Sequence, residues 1–195
     1  MEDGRVAGVR GEGARPLPRC PWADGDPLLA RYHDEEWGIP IASDAAHLER
    51  LSLEIFQAGL SWRTILHKRA AFRKAFARFS LKKVAAFTGR DVRRLLGDAG
   101  IVRNRLKIEA TIENAQRFIA LSRGHGSFAR WLEALPPDLG ALQAIFREEF
   151  RFMGPEIAKS YLESVGKVPI RHHPACWRAS GRGGKKGLEP RRVTG

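Results

Sequence analysis

Between positions 44 and 165, apolar side chains recur at helical steps, and no useful length of chain alternates apolar with polar residues as a half-buried strand would. Such a chain buries its apolar stripes by packing helix on helix, so the fold class is all-α. Asp44 can cap a helix reaching about Ser61, and a second is expected over 63–77. Ser80 and Thr88 look like caps for two short helices, with Asp91 three residues after Thr88 in the acidic capping arrangement. Further helices fit 106–121, 128–135, 139–150 and 155–165, the last opening on Gly154-Pro155 with proline at its favoured first position. There is no internal repeat and no heptad seam. Residues 1–18 and 178–195 are rich in Gly, Pro and Arg without periodicity and are expected to be flexible, leaving one folded unit over 19–177.

In the first predicted helix Leu48, Leu51, Ser52, Ile55 and Gly59 form one stripe, and Glu54 stands on its border. A border carboxylate is ordinarily a solvated side chain, but one in this position can also look into a pocket. Trp62 follows two helical turns later, and Trp22, Tyr32 and Trp37 lie upstream. Aromatics at helix borders serve most often as core, and the same ring faces also bind a cation or a flat base.

With 34 Lys+Arg against 22 Asp+Glu, the formal charge is +12 and the sequence pI about 10.5, which points to a polyanion such as nucleic acid. Residues 178–195 hold six Lys/Arg and one Glu, so the body remains basic without them. A phosphate-binding hairpin fits residues 91–107: a short helix over 91–96, a tight turn at Gly100-Ile101, then Arg103-Asn104-Arg105 opening a helix at Leu106. Backbone amides at such a turn and helix N-terminus suit phosphate, and Arg103, Arg105 and Lys107 add charge. An ordinary two-helix corner with a glycine cap has the same spacing.

Cys20 and Cys176 lie near opposite ends of the predicted folded unit. The start, Met1 to Gly8, is polar and Gly-rich, with no apolar signal run before Cys20, and no stretch approaches the ~20 apolar residues of a membrane span. A cytoplasmic, reducing setting is therefore expected, in which metal binding outweighs a disulfide. Cys20, His33, His172 and Cys176 offer two thiolates and two imidazoles, the donor set of a closed tetrahedral Zn²⁺ site that is structural and not catalytic, although two unrelated cysteines and a few surface histidines would read the same. The Cys20-x12-His33 half is too loose to be a signature alone, and His173 is an alternative to His172.

Six blocks stand together in one order: Cys20-Pro21-Trp22, Asp26-Pro27-Leu28, Tyr32 to Gly38, Glu54 to Trp62, Asp98 to Ile108, and His172-His173-Pro174-Ala175-Cys176. Over about residues 20–177 this pattern resembles the bacterial DNA-3-methyladenine glycosylase I family, of the helix-hairpin-helix glycosylase superfamily. The resemblance implies a monofunctional DNA glycosylase of base excision repair that acts on alkylated double-stranded DNA and leaves an abasic site. It implies a zinc site that clips the chain ends together, ring stacking on the extruded base by Tyr32 and Trp62, a pocket built with Trp22, and Glu54 as the catalytic carboxylate. Gln57, Gly59 and Leu60 would belong to the element that fills the gap left by the departed nucleotide, and Gly100, Arg103, Arg105 and Lys107 to the DNA-anchoring hairpin. A monomer, associated with the nucleoid through DNA, is the default expectation.

The chain departs from the resembled family in two places near the expected pocket. Leu29 stands where the best-known members carry tyrosine, and Ile55-Phe56 replaces a smaller, more polar Gly-Gln pair, so Leu29 and Phe56 are expected to make the base pocket more apolar. No lysine stands out for Schiff-base chemistry, and strand cleavage is not expected. The alternative class is a zinc-containing protein that recognises damaged or distorted DNA without cutting; Glu54 together with Trp62 favours the enzyme.

Overall fold

The computed structural model describes residues 17–179, all of whose regular structure is helical. The helices are α1 (Pro27–Glu35), α2 (Asp44–Gln57), α3 (Trp62–Ala75), α4 (Leu81–Ala85), α5 (Gly89–Leu96), α6 (Arg105–Arg123), α7 (Phe128–Ala134), α8 (Leu139–Glu149) and α9 (Pro155–Ser164), with single 3-10 turns at Pro21–Ala23 and Ala77–Phe79. Most begin where a short polar side chain takes an otherwise orphaned amide: Ser43, Ser61, Asn104, Ser127 and Asp138 cap α2, α3, α6, α7 and α8. Thr88 and Asp91 form the expected capping box, and α9 opens on Gly154-Pro155. Ser80 precedes α4 without a side-chain cap bond.

Three expectations change. Asp44 does not cap its own helix; Ser43 does, and the Asp44 carboxylate accepts from Phe128 N at 3.1 Å and Ala129 N at 3.2 Å, closing the start of α7. Adjacent cap-forming residues are equivalent until the approach of α7 separates them. Helix α1 has no counterpart in the periodicity, because it is short and buries only Leu29, Tyr32 and His33; its local signal is Asp26, which accepts from Leu28 N and Leu29 N, followed by Pro27. Helix α2 ends at Gln57, not near Ser61. Ala58 (φ −51°, ψ 117°) and Gly59 (φ +82°) adopt the dihedrals of a type II turn, closed by Leu60 N donating to Gln57 O at 2.7 Å. The space around Gly59 is open, so glycine is required there for its backbone angle alone.

Helix α2 runs through the centre, packed against α3, α6, α7 and α9, and buries ten consecutive residues, His47 to Phe56. Around it lie Phe72, Phe76 and Phe79 on one side and Phe118, stacked on Phe128 at 3.7 Å, on another. A helix buried on every side must satisfy its polar groups internally. His47 meets Tyr161 Oη at 2.7 Å and Ile41 O at 2.8 Å, and Ser52 donates to Leu48 O at 2.7 Å. Glu49 pairs with Arg69 and Arg73, while Arg50 donates to Tyr32 Oη at 2.6 Å and Glu36 Oε2 at 3.0 Å. Glu54 is the exception.

The expected flexible ends fall mostly outside the described residues. At their inner edges the chain ends are tied together: Trp177 N donates to Pro18 O at 2.9 Å, and Arg178 donates to His33 O at 2.6 Å and Trp37 O at 2.8 Å.

Candidate active site and metal centre

A cavity of about 450 Å³ opens where α1, the end of α2, the start of α3 and α9 converge. Its walls carry Trp22, Leu29, Tyr32, Trp37 and Trp62, with Glu54 and Gln57 from α2, Asp24 before α1, and Ser160 and Glu163 from α9. Trp22 meets Trp37 edge-on at 5.1 Å between ring centroids, and Tyr32 and Trp62 lie 5.1 Å apart. No donor among the described residues hydrogen-bonds the Glu54 carboxylate, although Glu54 is only 6% exposed. Burial pushes its carboxyl up to about 7, against a lowering by Arg50 and with a further rise from Glu163. The Nε1 of Trp62 is also buried, without a partner among the described residues. A buried carboxylate on a cavity wall, satisfied by no donor among the described residues, marks a place for a ligand with donors of its own.

The cavity favours a flat cation. Asp24, Glu54 and Glu163 supply three carboxylates, and the one cation that the described residues place on its wall, Arg63, is paired with Asp26 at 2.8 Å. Burial raises the Glu163 carboxyl as well, more than Lys159 lowers it. Tyr32 is buried and its phenol pushed upward by that burial, so it stays neutral and keeps its bond to Arg50. Glu163, Asp24 and Arg50 carry no signal in the sequence that marks them; only folding brings α9 to this wall.

Several sequence expectations meet here and others do not. Trp22, Leu29, Tyr32, Glu54 and Trp62 line one space, and Gln57 shares its rim. Phe56, expected in the base pocket, is instead fully buried in the core, 4.6 Å from the Phe72 ring, and Ile55 is equally buried. The apolar change near the cavity thus reduces to Leu29. Lys107, expected to face phosphate, is buried and directs its ammonium at the carbonyls of Phe56 and Ala58. The stem of α6 packs against α2, which turns this position inward.

The remaining hairpin residues face outward. Arg103 and Arg105 are exposed; Arg105 reaches Glu109 at 3.2 Å, while Arg103 has no partner among the described residues. Gly100 is needed for close approach: a Cβ there would lie 3.0 Å from Ala71 Cβ on α3 and 2.9 Å from Asp98 Oδ1. Leu60 is 40% exposed at the end of the type II turn.

At the joined chain ends, Cys20, His33, His172 and Cys176 point one ligand atom each into a single cluster, all within 4.8 Å of one another. Zinc with sulfur at about 2.3 Å and nitrogen at about 2.0–2.1 Å has tetrahedral N–S edges of about 3.6 Å. The three N–S separations that can be compared are 3.5 Å for Cys20 and His172, 3.4 Å for Cys176 and His33, and 3.6 Å for Cys176 and His172. The donor set therefore fits that ion. His33 Nδ1 is held by Asp34 at 2.8 Å, leaving Nε2 for the cluster, and burial lowers His172 to about 4, keeping it a neutral imidazole. His173 is exposed, outside the cluster, its Nδ1 accepting from Ala175 N. Asp34 also receives Arg19 and Trp177, a supporting shell that sequence spacing does not single out.

The chain matches known proteins over most of its length. Residues 22–138 match the methyladenine glycosylase family. DNA-3-methyladenine glycosylase 1 of Escherichia coli K12 is 36% identical over 172 residues, covering 78% of this chain and 92% of that protein. DNA-3-methyladenine glycosylase of Haemophilus influenzae is 31% identical, covering 77% and 92%. A crystal structure of 3-methyladenine DNA glycosylase I superposes with a TM-score of 0.74 at 34% identity, covering 83% of this chain and 99% of that one. A tyrosine-to-phenylalanine variant of such an enzyme, in complex with 3-methyladenine, superposes with a TM-score of 0.70 at 30% identity, covering 81% and 97%. With the fold, the cavity and these matches in agreement, the chain belongs to the methyladenine glycosylase family.

Proposed function

We propose that the cavity receives a 3-methyladenine extruded from double-stranded DNA, and that this chain hydrolyses its N-glycosidic bond to leave an abasic site. The glycosylase activity follows from the family and from relatives named for it. The unpartnered Glu54 carboxylate among aromatic faces carries the assignment of the site. Methylation at N3 makes the attached purine cationic and a good leaving group, so protonation of the base by an acid, as glycosidases protonate an alcohol, is unnecessary. Ring faces and a carboxylate select that cation, whereas neutral adenine gains little. Glu54, which burial has made reluctant to ionise, regains its charge beside the base, accepts from the N6 amino group on its N6/N7 edge and stabilises the developing positive sugar as the bond to C1′ breaks. Water attacks C1′, the bonding electrons leave with the base, and the water's proton passes to solvent.

Tyr32 and Trp62 stack on the base, with Trp22 and Leu29 closing the pocket. Gln57 and Leu60 enter the duplex, where an inserted apolar side chain offsets unstacking that costs about a few kcal/mol per step. Cys20, His33, His172 and Cys176 would hold one Zn²⁺, which with four protein donors would serve a structural and not a catalytic role.

The deciding experiment measures free bases and abasic sites after incubation with methylated duplex DNA. Release of 3-methyladenine matched by abasic sites is expected, with some 3-methylguanine and little attack on neutral lesions; tight binding with no base released would make the protein a non-catalytic damage binder. For the hairpin, Arg103→Ala with Arg105→Ala should weaken binding to all duplexes alike and flatten its salt dependence by up to about 0.9 per lost phosphate contact. Normal binding by this double variant at moderate salt would remove the hairpin from the DNA interface.

A further inference from the structure

The turn at 57–60 is held from behind by a lysine. Lys107 stands in the first turn of α6, is only 5% exposed, and donates through its ammonium to Ala58 O at 2.6 Å and Phe56 O at 3.2 Å. Ala58 O belongs to the central peptide of the type II turn, and type I and type II turns differ by a flip of that peptide. A cation bonded to this oxygen holds the peptide in one orientation. It also answers the carbonyls that α2 leaves orphaned at its C-terminus, where the helix dipole is negative.

We infer that Lys107 is a positioning residue for base extrusion, linking the hairpin to the Gln57–Leu60 turn so that seating the hairpin on phosphate delivers that turn into the duplex. The inference rests on the wedge role given above to Gln57 and Leu60. A second lysine strengthens the link: Lys68 of α3 donates to Ala99 O at 3.1 Å and Gly100 O at 3.3 Å. Gly100 also lies close against Ala71 of α3, the helix that follows the wedge turn, so the hairpin packs on the element that carries the turn's far end. The Lys107 ammonium points at backbone carbonyls of the protein and away from solvent, where a phosphate would lie, whereas that of Lys68 lies at the surface.

The test uses Lys107→Met, which keeps most of the aliphatic stem and removes the donor. Methylated duplex carrying 2-aminopurine beside the lesion reports extrusion by fluorescence, single-turnover base release reports the rate, and binding across a salt series reports phosphate contacts. For Lys107→Met we expect affinity within about twofold of wild type and an unchanged salt slope, with a blunted fluorescence rise and a single-turnover rate at least about tenfold lower. Lys107→Arg, which still donates, should recover most of the rate. Weaker binding with a shallower salt slope but full rate on bound DNA would make Lys107 a phosphate contact and overturn the inference. Leu60→Ala is run in parallel. If it leaves the fluorescence rise intact, the wedge role fails and the inference with it; if it blunts the rise while Lys107→Met does not, the lysine's role alone falls. Should Lys107→Met fail to fold, Lys107→Gln, with one amide donor, is measured the same way and should show a smaller loss in the same quantities; an unchanged rate would overturn the inference.

Discussion

Release of 3-methyladenine by the Glu54→Gln protein should fall by at least about tenfold, equivalent to roughly 1.4 kcal/mol of lost transition-state stabilisation. The amide preserves size and hydrogen bonding but not the charge that faces a cationic base. The same substitution should stabilise the free protein at alkaline pH. Glu54 titrates near 4.5 in an unfolded chain and about 7 in the folded one, so between those values the unfolded chain binds fewer protons. Stability contributed by the neutral carboxyl is complete below about 4.5 and is lost as the pH rises to about 7. The full loss is on the order of 3 kcal/mol, and Glu54→Gln escapes it. Melting curves of both proteins at pH 5 and pH 8 should therefore diverge at the higher pH, and wild-type kcat/KM for base release should rise through about pH 7 while the variant's stays flat. Parallel melting behaviour would refute the perturbed carboxyl, and an unchanged release rate would refute its part in the reaction.

Freshly prepared protein should contain about one Zn²⁺ per chain, and removing it by chelation or by Cys176→Ser should lower the melting temperature by roughly 10 °C. An ion about 1,000-fold above its dissociation constant adds about 4 kcal/mol of stability, and a chain of this size shifts by about 2–4 °C per kcal/mol. Below the transition, base release should change far less than stability, because the ligands lie behind the cavity walls: Trp22 packs on His33 at 5.5 Å and Trp37 on His172 at 5.0 Å. Metal analysis showing no zinc in unchelated protein would sink the assignment. Full melting temperature after chelation would show that Arg19, Asp34 and Arg178 hold the chain ends together without it.

The candidate site is legible in the sequence where chemistry depends on residue type, and obscure where it depends on which way a helix faces. Two thiols and two imidazoles in the order Cys20, His33, His172, Cys176 point to their cluster, yet only the fold puts His172 in it and His173 outside. Phe56 and Lys107 carry outward roles in the sequence reading because they neighbour the Glu54 block and the hairpin. Both turn inward, since α2 is enclosed on all sides and α6 presses its first turn against the end of α2. Glu54 itself is ambiguous in sequence, as any border carboxylate is: burial alone is common to Glu49 and Glu54, and what separates them is that Arg69 and Arg73 reach the first and nothing among the described residues reaches the second.

By itself the sequence determined the all-helical class, through apolar spacing, and many of the helix starts, through local caps such as Thr88 with Asp91 and Pro155 after Gly154. It did not determine the turn at Gly59, a residue that continues the apolar stripe of α2 in sequence and leaves the helix through a positive φ. Only the tertiary structure decided the use of Asp44 as a cap for α7, the arrival of Glu163 at the cavity wall, and the state of Glu54. Such caps are short-range and written in neighbouring residues, whereas the cost of burying a charge depends on every group that packs around it, and those come from far along the chain.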